Sequence, residues 1–267
     1  MDAASYRQSD NEISRTQDLM RIVSGFVENA QTALDIGARD GHFSRLFTEY
    51  FSSVTALDLE KPEIPHDNID CIKGDLTSLQ MQDNSFDFVF CSEVLEHIPT
   101  EKLHVACGEL ARVTKRFLLV GVPFDQDIRL DQTTCLSCER TNPPWGHVNS
   151  FDTQRLYQLF SSLHVRETSF VGLAKSRTNF LSAWLMNLAM NPYGTYEQDE
   201  RCIYCGNELR QPSNNTLINK LMRKSAVWLR NIQLTFSSPK PIWVHILFEK
   251  EQGSPKEKNA AQTRNHL

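Results

Sequence analysis

Seven cysteines occur in the 267 residues, and four of them form two Cys-x-x-Cys pairs, Cys135/Cys138 and Cys202/Cys205. Each pair can set two thiolates on one tight turn, and two such turns complete a tetrahedron around zinc. The pairs stand farther apart than in an ordinary zinc ribbon, so the segments that carry them must meet in space. Four thiolates leave no open coordination position, which makes such a zinc structural rather than catalytic. Two separate redox pairs, or surface thiols without metal, are the alternative, and His147 can replace one cysteine if only three reach. Cys71, Cys91 and Cys107 fall in apolar strand or helix contexts and are expected in the core.

A second set of chemistry-bearing residues follows four short apolar runs. Thr32 to Ile36 leads into Gly37-Ala38-Arg39-Asp40-Gly41, where two glycines four positions apart allow a tight turn and close backbone approach. Asp58 ends the next run, Gly74-Asp75-Leu76 follows the third, and Cys91-Ser92-Glu93 closes the fourth. Open parallel sheets bind ligands at the carboxyl ends of their strands. A glycine turn, an acid able to hold both ribose hydroxyls and a further acid suit a nucleoside with a zwitterionic tail. A nicotinamide dinucleotide calls for G-x-G-x-x-G, which is absent, and Asp35 would repel its pyrophosphate. Asp35 can instead engage an ammonium group, directly or through water. The pattern therefore favours S-adenosylmethionine.

Glu93, Glu96 and His97 supply two carboxylates and an imidazole within five residues, and His147 lies in the later Trp145–Phe151 segment. Glu93, His97 and His147 are the candidate acid–base residues. Glu93, Glu96 and His97 can also hold Mg2+, with His147 completing the set, or can simply shape the loop.

The elements that must position these groups are legible from periodicity. Strands are expected at 32–37, 53–58, 70–73, 85–91, 116–123, 164–171 and 242–248. Helices are expected at 12–30, 42–51, 103–113 and 152–163, the last capped by Asp152. Strands alternating with helices imply a parallel sheet covered on both faces. Residues 12–250 read as one domain with insertions at 124–150 and 173–239. Segments 1–11 and 251–267 are polar and expected to be loose.

Composition sets the outer limits. With 40% apolar and 23% charged residues the chain is globular. A net charge of −5 gives no reason to expect whole-surface nucleic-acid binding. The longest apolar stretch, Phe180 to Met190, is 11 residues, against roughly 20 for a membrane span. Nothing at the start resembles a signal peptide, so a cytoplasmic chain with reduced thiols is the expectation. Residues 216–232 read as a basic amphipathic helix, able to lie on an anionic membrane or to pack on the domain.

Several of these motifs resemble those of class I S-adenosylmethionine-dependent methyltransferases, in the type 11 subgroup related to quinone-biosynthesis enzymes. Leu34 to Gly41 is similar to their first motif, with Arg39 in place of the usual middle glycine. Asp58 matches their ribose-binding acid, Gly74-Asp75-Leu76 their adenine-side motif, and Phe86 to Ile98 their fourth strand and the loop after it. The resemblance implies a three-layer Rossmann-like sandwich. Its sheet would have seven mostly parallel strands with the last one antiparallel, plus a late helical and zinc-knuckle insertion. It also implies that Asp35, Gly37, Ala38, Gly41, Leu57, Asp58, Asp75, Leu76, Cys91 and Ser92 line the donor site. The activity implied is methyl transfer to a hydroxyl or amine of a small-molecule, sugar or lipid-linked acceptor. A non-catalytic binding module with a degenerate donor site, spoiled by Arg39, is the alternative. Glu-x-x-Glu-His is also similar to a pattern in metal-dependent O-methyltransferases.

Overall fold

The structure, a computed structural model, describes residues 7–28, 30–192, 201–210 and 216–251. Of the two segments expected to be loose, residues 1–6 and 252–267 lie outside the described residues. Residues 7–11 are described and are not all loose: helix α1 spans Asp10–Ser24, and the Ser9 hydroxyl accepts the Glu12 N–H at its start. The helix stops short of the expected residue 30 because the chain turns at Gly25, whose N–H bonds back to Ile22 and Val23. Phe26 then packs on Phe88 and Phe117, with centroids 5.3 and 4.5 Å away.

After α1 come β1 (Thr32–Ile36), α2 (His42–Phe47), β2 (Ser53–Asp58), β3 (Ile69–Lys73), β4 (Phe86–Ser92), α3 (Leu103–Val113) and β5 (Thr114–Pro123). A two-stranded hairpin, β6 (Thr133–Thr134) and β7 (Thr141–Asn142), opens the first insertion. Then follow α4 (Thr153–Leu159), β8 (His164–Ala174), α5 (Phe180–Leu188), α6 (Leu217–Phe236) and β9 (Lys240–Glu249). Asp152 caps α4 as expected, accepting the Arg155 N–H at 2.7 Å.

All seven expected strands form one sheet in the order β3-β2-β1-β4-β5-β9-β8. Pairs from β3 through β5 are parallel, and β9 runs antiparallel to both β5 and β8. The central strands are buried on both faces, which is why they read as nearly continuous apolar runs. On one face Leu34, Ile36, Val89, Leu118, Val120 and Phe248 pack with Leu103, Ala106 and Leu110 of α3 and Leu156 of α4. On the other, Ala33, Ala56, Phe88, Phe90 and Leu119 pack with Leu19, Ile22 and Val23 of α1 and Phe47 of α2. Phe88 stacks on Phe51 at 5.1 Å and meets Phe47 edge-on at 5.4 Å. The result is three layers, with the strand order reversing between β1 and β4. Cys91 and Cys107 are core residues, as their contexts predict, whereas Cys71, on the edge strand β3, is only half-buried.

In the late insertion α5 and α6 pack on each other: the Ser182 hydroxyl donates to the Ala226 carbonyl at 2.7 Å. Ala226 is the one buried residue of α6. The apolar side chains Phe180, Leu217, Trp228 and Phe236 are exposed, so α6 does not lay an apolar face on the sheet domain. No described helix is long and apolar enough to cross a membrane.

Asp18 ties α1 to the antiparallel edge. Its carboxylate accepts from His245 Nδ1 at 2.7 Å, Ser169 Oγ at 2.9 Å and Arg21 at 2.9 Å. Burial works against its charge, but these bonds, His245 foremost, hold its carboxyl down at about 2. A carboxyl lowered on folding contributes stability above its unfolded value near 3.8, and this is lost as pH falls toward 2. Asp18→Ala is expected to cost about 1–3 kcal/mol in urea unfolding at neutral pH. The gap from the parent chain should close between about pH 4 and 2.

Candidate functional site

The turn after β1 is held by a single acceptor. The N–H groups of Gly37 and Ala38 both donate to the Leu57 carbonyl on β2, at 2.8 and 3.1 Å. Gly37 and Gly41 lie at φ +76° and +75°, where L side chains are strained. A Cβ on Gly37 would meet Val94 Cγ2 at 2.4 Å, and one on Gly41 would meet Ile64 Cδ1 at 2.4 Å. Both glycines are therefore needed for space as well as for conformation. Arg39 also takes a left-handed backbone, φ +46°, yet the turn closes and the side chain is exposed.

Asp58, at the end of β2, reaches under this turn. One carboxylate oxygen accepts the Arg39 N–H at 2.9 Å and the other the Leu59 N–H at 2.7 Å. Asp75 is exposed and caps the short turn Leu76–Ser78, taking the Thr77 N–H and hydroxyl at 2.8 Å each. The Thr77 N–H bond, more than any other influence, keeps its carboxyl below the usual range. Leu76 is buried near Leu57, and Ala38 and Cys91 are also buried, so these four can offer a ligand backbone rather than side-chain polarity. Ser92 Oγ accepts from Arg15 of α1 at 2.9 Å.

Asp35 is placed differently from the expectation. It is 2% exposed and lies beneath the turn, where it accepts the Ser44 hydroxyl at 2.5 Å and the Ser44 N–H. It thus caps α2 instead of lining the crevice. Burial pushes its carboxyl up to about 7, and the charges of Asp58 and Asp40 push the same way.

The loop after β4 separates the acid–base candidates. Glu93 turns toward α1 and β9, where it accepts the Trp243 indole N–H; burial pushes it up to about 6, with the Arg15 charge opposing. Glu96 is fully buried, and neither carboxylate oxygen finds a hydrogen-bond partner. Burial, reinforced by Glu93, raises its carboxyl well above the usual range. Glu96, His97 and His147 each bring one ligand-type atom within 4.8 Å of the others, and Glu93 is not in that group. The expected Mg2+ trio of Glu93, Glu96 and His97 is therefore not the set the fold brings together. The His97 and His147 rings meet edge to face at 4.6 Å. Burial lowers both histidines; for His97 the Arg39 charge adds to it, and His147 falls to about 3. Both rings are neutral at pH 7, and His97, the exposed one, is free to accept a proton.

His147 reaches this loop because the first insertion is clamped onto it. The Val148 and Asn149 N–H groups both donate to the Glu96 carbonyl, at 2.8 and 3.2 Å. The Asn149 amide donates to the Leu95 and Ile98 carbonyls at 3.2 and 2.6 Å. Neither Asn149, Arg15 nor Gln126, which bonds His147, carried a signal in the sequence.

The four cysteines of the two pairs converge. Cys135 and Cys205 sulfurs lie 3.7 Å apart, and Cys138 and Cys202 sulfurs 3.6 Å apart. With zinc–sulfur bonds of about 2.3 Å, the edge of a thiolate tetrahedron is about 3.8 Å. Each pair forms a knuckle: Cys135 N–H bonds the Arg140 carbonyl, and Cys202 N–H the Asn207 carbonyl. The Asn142 side chain joins them by accepting the Ile203 N–H at 3.0 Å. Despite burial, which opposes it, N–H bonds from Tyr204 and Cys205 pull the Cys202 thiol down to about 6.

Comparisons with known proteins bear on this site. Residues 34–117 match the methyltransferase domain family. No curated protein is matched. A solved structure of a candidate methyltransferase from Bacillus halodurans C-125 is similar at 13% identity and TM-score 0.55, over 88% of this chain and 100% of that one. The N-methyltransferase NodS of Bradyrhizobium japonicum WM9, solved with S-adenosyl-L-homocysteine, is similar at 14% identity and TM-score 0.50, over 94% of each chain. The [4+2]-cyclase SpnF matches at 15% identity and TM-score 0.52, over 92% of this chain and 86% of that one. Likeness at such identities speaks to fold, and fold alone does not assign a reaction.

The buried acid gives a checkable pH dependence. A carboxyl raised on folding contributes stability that is full below its unfolded value of 3.8 and is lost as pH rises through about 7. Asn at position 35 resembles the protonated form. Thermal unfolding is therefore expected to show the parent chain losing ground to Asp35→Asn between about pH 4 and 8. A difference that does not vary with pH would contradict the placement.

Proposed function

We propose, for a chain with the fold and donor-side domain of the class I S-adenosylmethionine-dependent methyltransferases, that it moves a methyl group onto a hydroxyl or amine of a small-molecule, sugar or lipid-linked acceptor. The observation that carries this reading is the closed glycine turn with Asp58 beneath it, at the point where the strand order reverses. Closure despite Arg39 supports an enzyme over a non-catalytic module.

In this reading Asp58 turns its remaining lone pairs to the ribose hydroxyls. Gly37 and Gly41 leave room for the methionine end, and the Asp75–Leu76 corner borders the adenine. The bound donor supplies an electrophilic methyl on a sulfonium, already a good leaving group. What the chain must add is alignment of the nucleophile and exclusion of water. Neutral His97, exposed at the mouth, takes the proton that a hydroxyl or ammonium acceptor gives up. The exposed apolar side chains of α5 and α6 support a lipid-linked member of the acceptor class.

The same reading gives Cys135, Cys138, Cys202 and Cys205 a structural zinc. Its binding energy would order two insertions that bury little apolar surface of their own. Reduced thiols of this kind fit a cytoplasmic setting.

Asp58→Ala is expected to weaken S-adenosylhomocysteine binding by about 1–3 kcal/mol in isothermal titration, through loss of charge-assisted hydrogen bonds. Unchanged affinity would remove Asp58 from the donor site. Cys202→Ser is expected to lower zinc content and the thermal midpoint together, read by elemental analysis and calorimetry. Full zinc retention would place the ion elsewhere.

A further inference from the structure

We propose that α6 lies along an anionic lipid surface, with Leu217, Leu221, Trp228 and Ile232 among the acyl chains and Lys220 and Lys224 at the level of the phosphates.

The sequence makes α6 a helix with two unlike sides. Thr216 starts it, its hydroxyl accepting the Asn219 N–H at 3.1 Å, and it runs for 20 residues, about 30 Å. At 3.6 residues per turn, Leu217, Leu221, Trp228 and Ile232 fall within about 60° of one another. A helix of a globular domain turns such a stripe toward the core. Here it is turned outward: Leu217, Leu221 and Trp228 are 84, 67 and 63% exposed. Ala226, the one buried residue of the helix, stands on the opposite side.

That opposite side is what holds α6 in place. The Ser182 hydroxyl bonds the Ala226 carbonyl, and the Asn179 amide donates to the Leu229 carbonyl at 3.4 Å, so α5 braces the helix. The Lys175 ammonium, just past β8, donates to the Leu234 carbonyl at 3.1 Å. The outward stripe is therefore a fixed face of the protein.

Charge selects what covers it. The helix carries four basic residues and no acidic one, in a chain whose net charge is −5. Arg230 faces Asp131 within the protein, whereas Lys220 and Lys224 are exposed along the border of the apolar stripe. Acyl chains match the stripe, and anionic headgroups match ammonium groups carried on long apolar stems. A second copy of this chain would instead set lysines against another basic helix without a carboxylate. Thr235, on the outward side, turns its hydroxyl back to the Asn231 carbonyl at 2.9 Å, so that donor needs no water. No described helix is long and apolar enough to cross a membrane, so α6 would lie in the interface.

The topology puts this helix at the crevice end of the sheet. β9 runs antiparallel to both β5 and β8, so β8 shares the direction of β5. The α5–α6 segment leaves after Ala174 and rejoins at Lys240, two residues that pair at the carboxyl end of the parallel strands. Ligands of such sheets bind at that end. An acceptor anchored in the bilayer would be presented there. That use of the surface rests on the methyl-transfer reading; adhesion to lipid does not.

The test is co-sedimentation of the full-length protein with vesicles of equal parts phosphatidylcholine and phosphatidylglycerol, against vesicles of phosphatidylcholine alone. Binding to the mixed vesicles should be at least about tenfold tighter and should weaken as salt is raised. Lys220→Glu with Lys224→Glu should weaken it at least about tenfold, and Leu221→Ser with Trp228→Ser as much. All four positions are exposed, so both double variants should keep the thermal midpoint and the affinity for S-adenosylhomocysteine of the parent chain. No binding to mixed vesicles, equal binding to both kinds, or unchanged binding by either double variant would overturn the proposal. So would a dimer in light scattering that Leu221→Ser with Trp228→Ser dissolves, since the stripe would then belong to a second copy. Vesicle binding by a protein that does not bind S-adenosylhomocysteine would keep the lipid contact and remove the methyl-transfer reading.

Discussion

The Leu57 carbonyl, taking two N–H groups from the turn after β1, is the contact on which the crevice at the switch point depends. It can do so only because the chain folds back within five residues, and that requires backbone without Cβ at Gly37 and Gly41. From this closure the rest follows. Asp58 is drawn beneath the turn, Val94 can lie against Gly37, and Asp35 is pressed under the first turn of α2. The crevice is thus shaped by backbone, with side chains added at its rim. Arg39 fits this view: a left-handed residue at its position costs about 1–2 kcal/mol, which the two hydrogen bonds of Gly37 and Ala38 to the Leu57 carbonyl and the Asp58 cap offset.

A second constraint governs the loop after β4. This loop seats Leu95 in the core and is pinned further by the insertion that follows β5. Asn149 satisfies the carbonyls of Leu95 and Ile98 while its backbone and that of Val148 satisfy Glu96. Such a clamp fixes where His97 points. It also links the loop to the cysteine cluster, since the same insertion carries the β6–β7 hairpin with Cys135 and Cys138. Disturbing the thiolates should therefore be felt at His147 through a short covalent path.

Much of this was legible in the sequence, for identifiable reasons. The central strands announced themselves because strands buried on both faces must be almost wholly apolar. The cysteine knuckles were legible because each is local, and only their meeting required the fold. Asp35 was misread for want of parity. In β1 it shares a face with Ala33, the face covered by α1 and α2, so its neighbour is Ser44 rather than the crevice. The Glu93, Glu96 and His97 string looked like one group because spacing along the chain hides direction. Glu93 takes a left-handed backbone, φ +57°, and bonds Trp243 instead of joining the group of ligand-type atoms that Glu96 and His97 form with His147. His147 joined them through hydrogen bonds between distant backbone groups, which leave no periodic trace. Arg15 and Asp18 of α1 are both engaged inward, on Ser92 and on His245, contacts that no periodic pattern records.

The most direct measurement is a crystal structure of the protein grown with S-adenosylhomocysteine. The account predicts the ribose hydroxyls on Asp58, the adenine beside Asp75 and Leu76, and the homocysteine tail over Gly37 with the Arg39 side chain turned to solvent. A crevice without ligand at saturating concentration, or one filled by the Arg39 guanidinium, would contradict it.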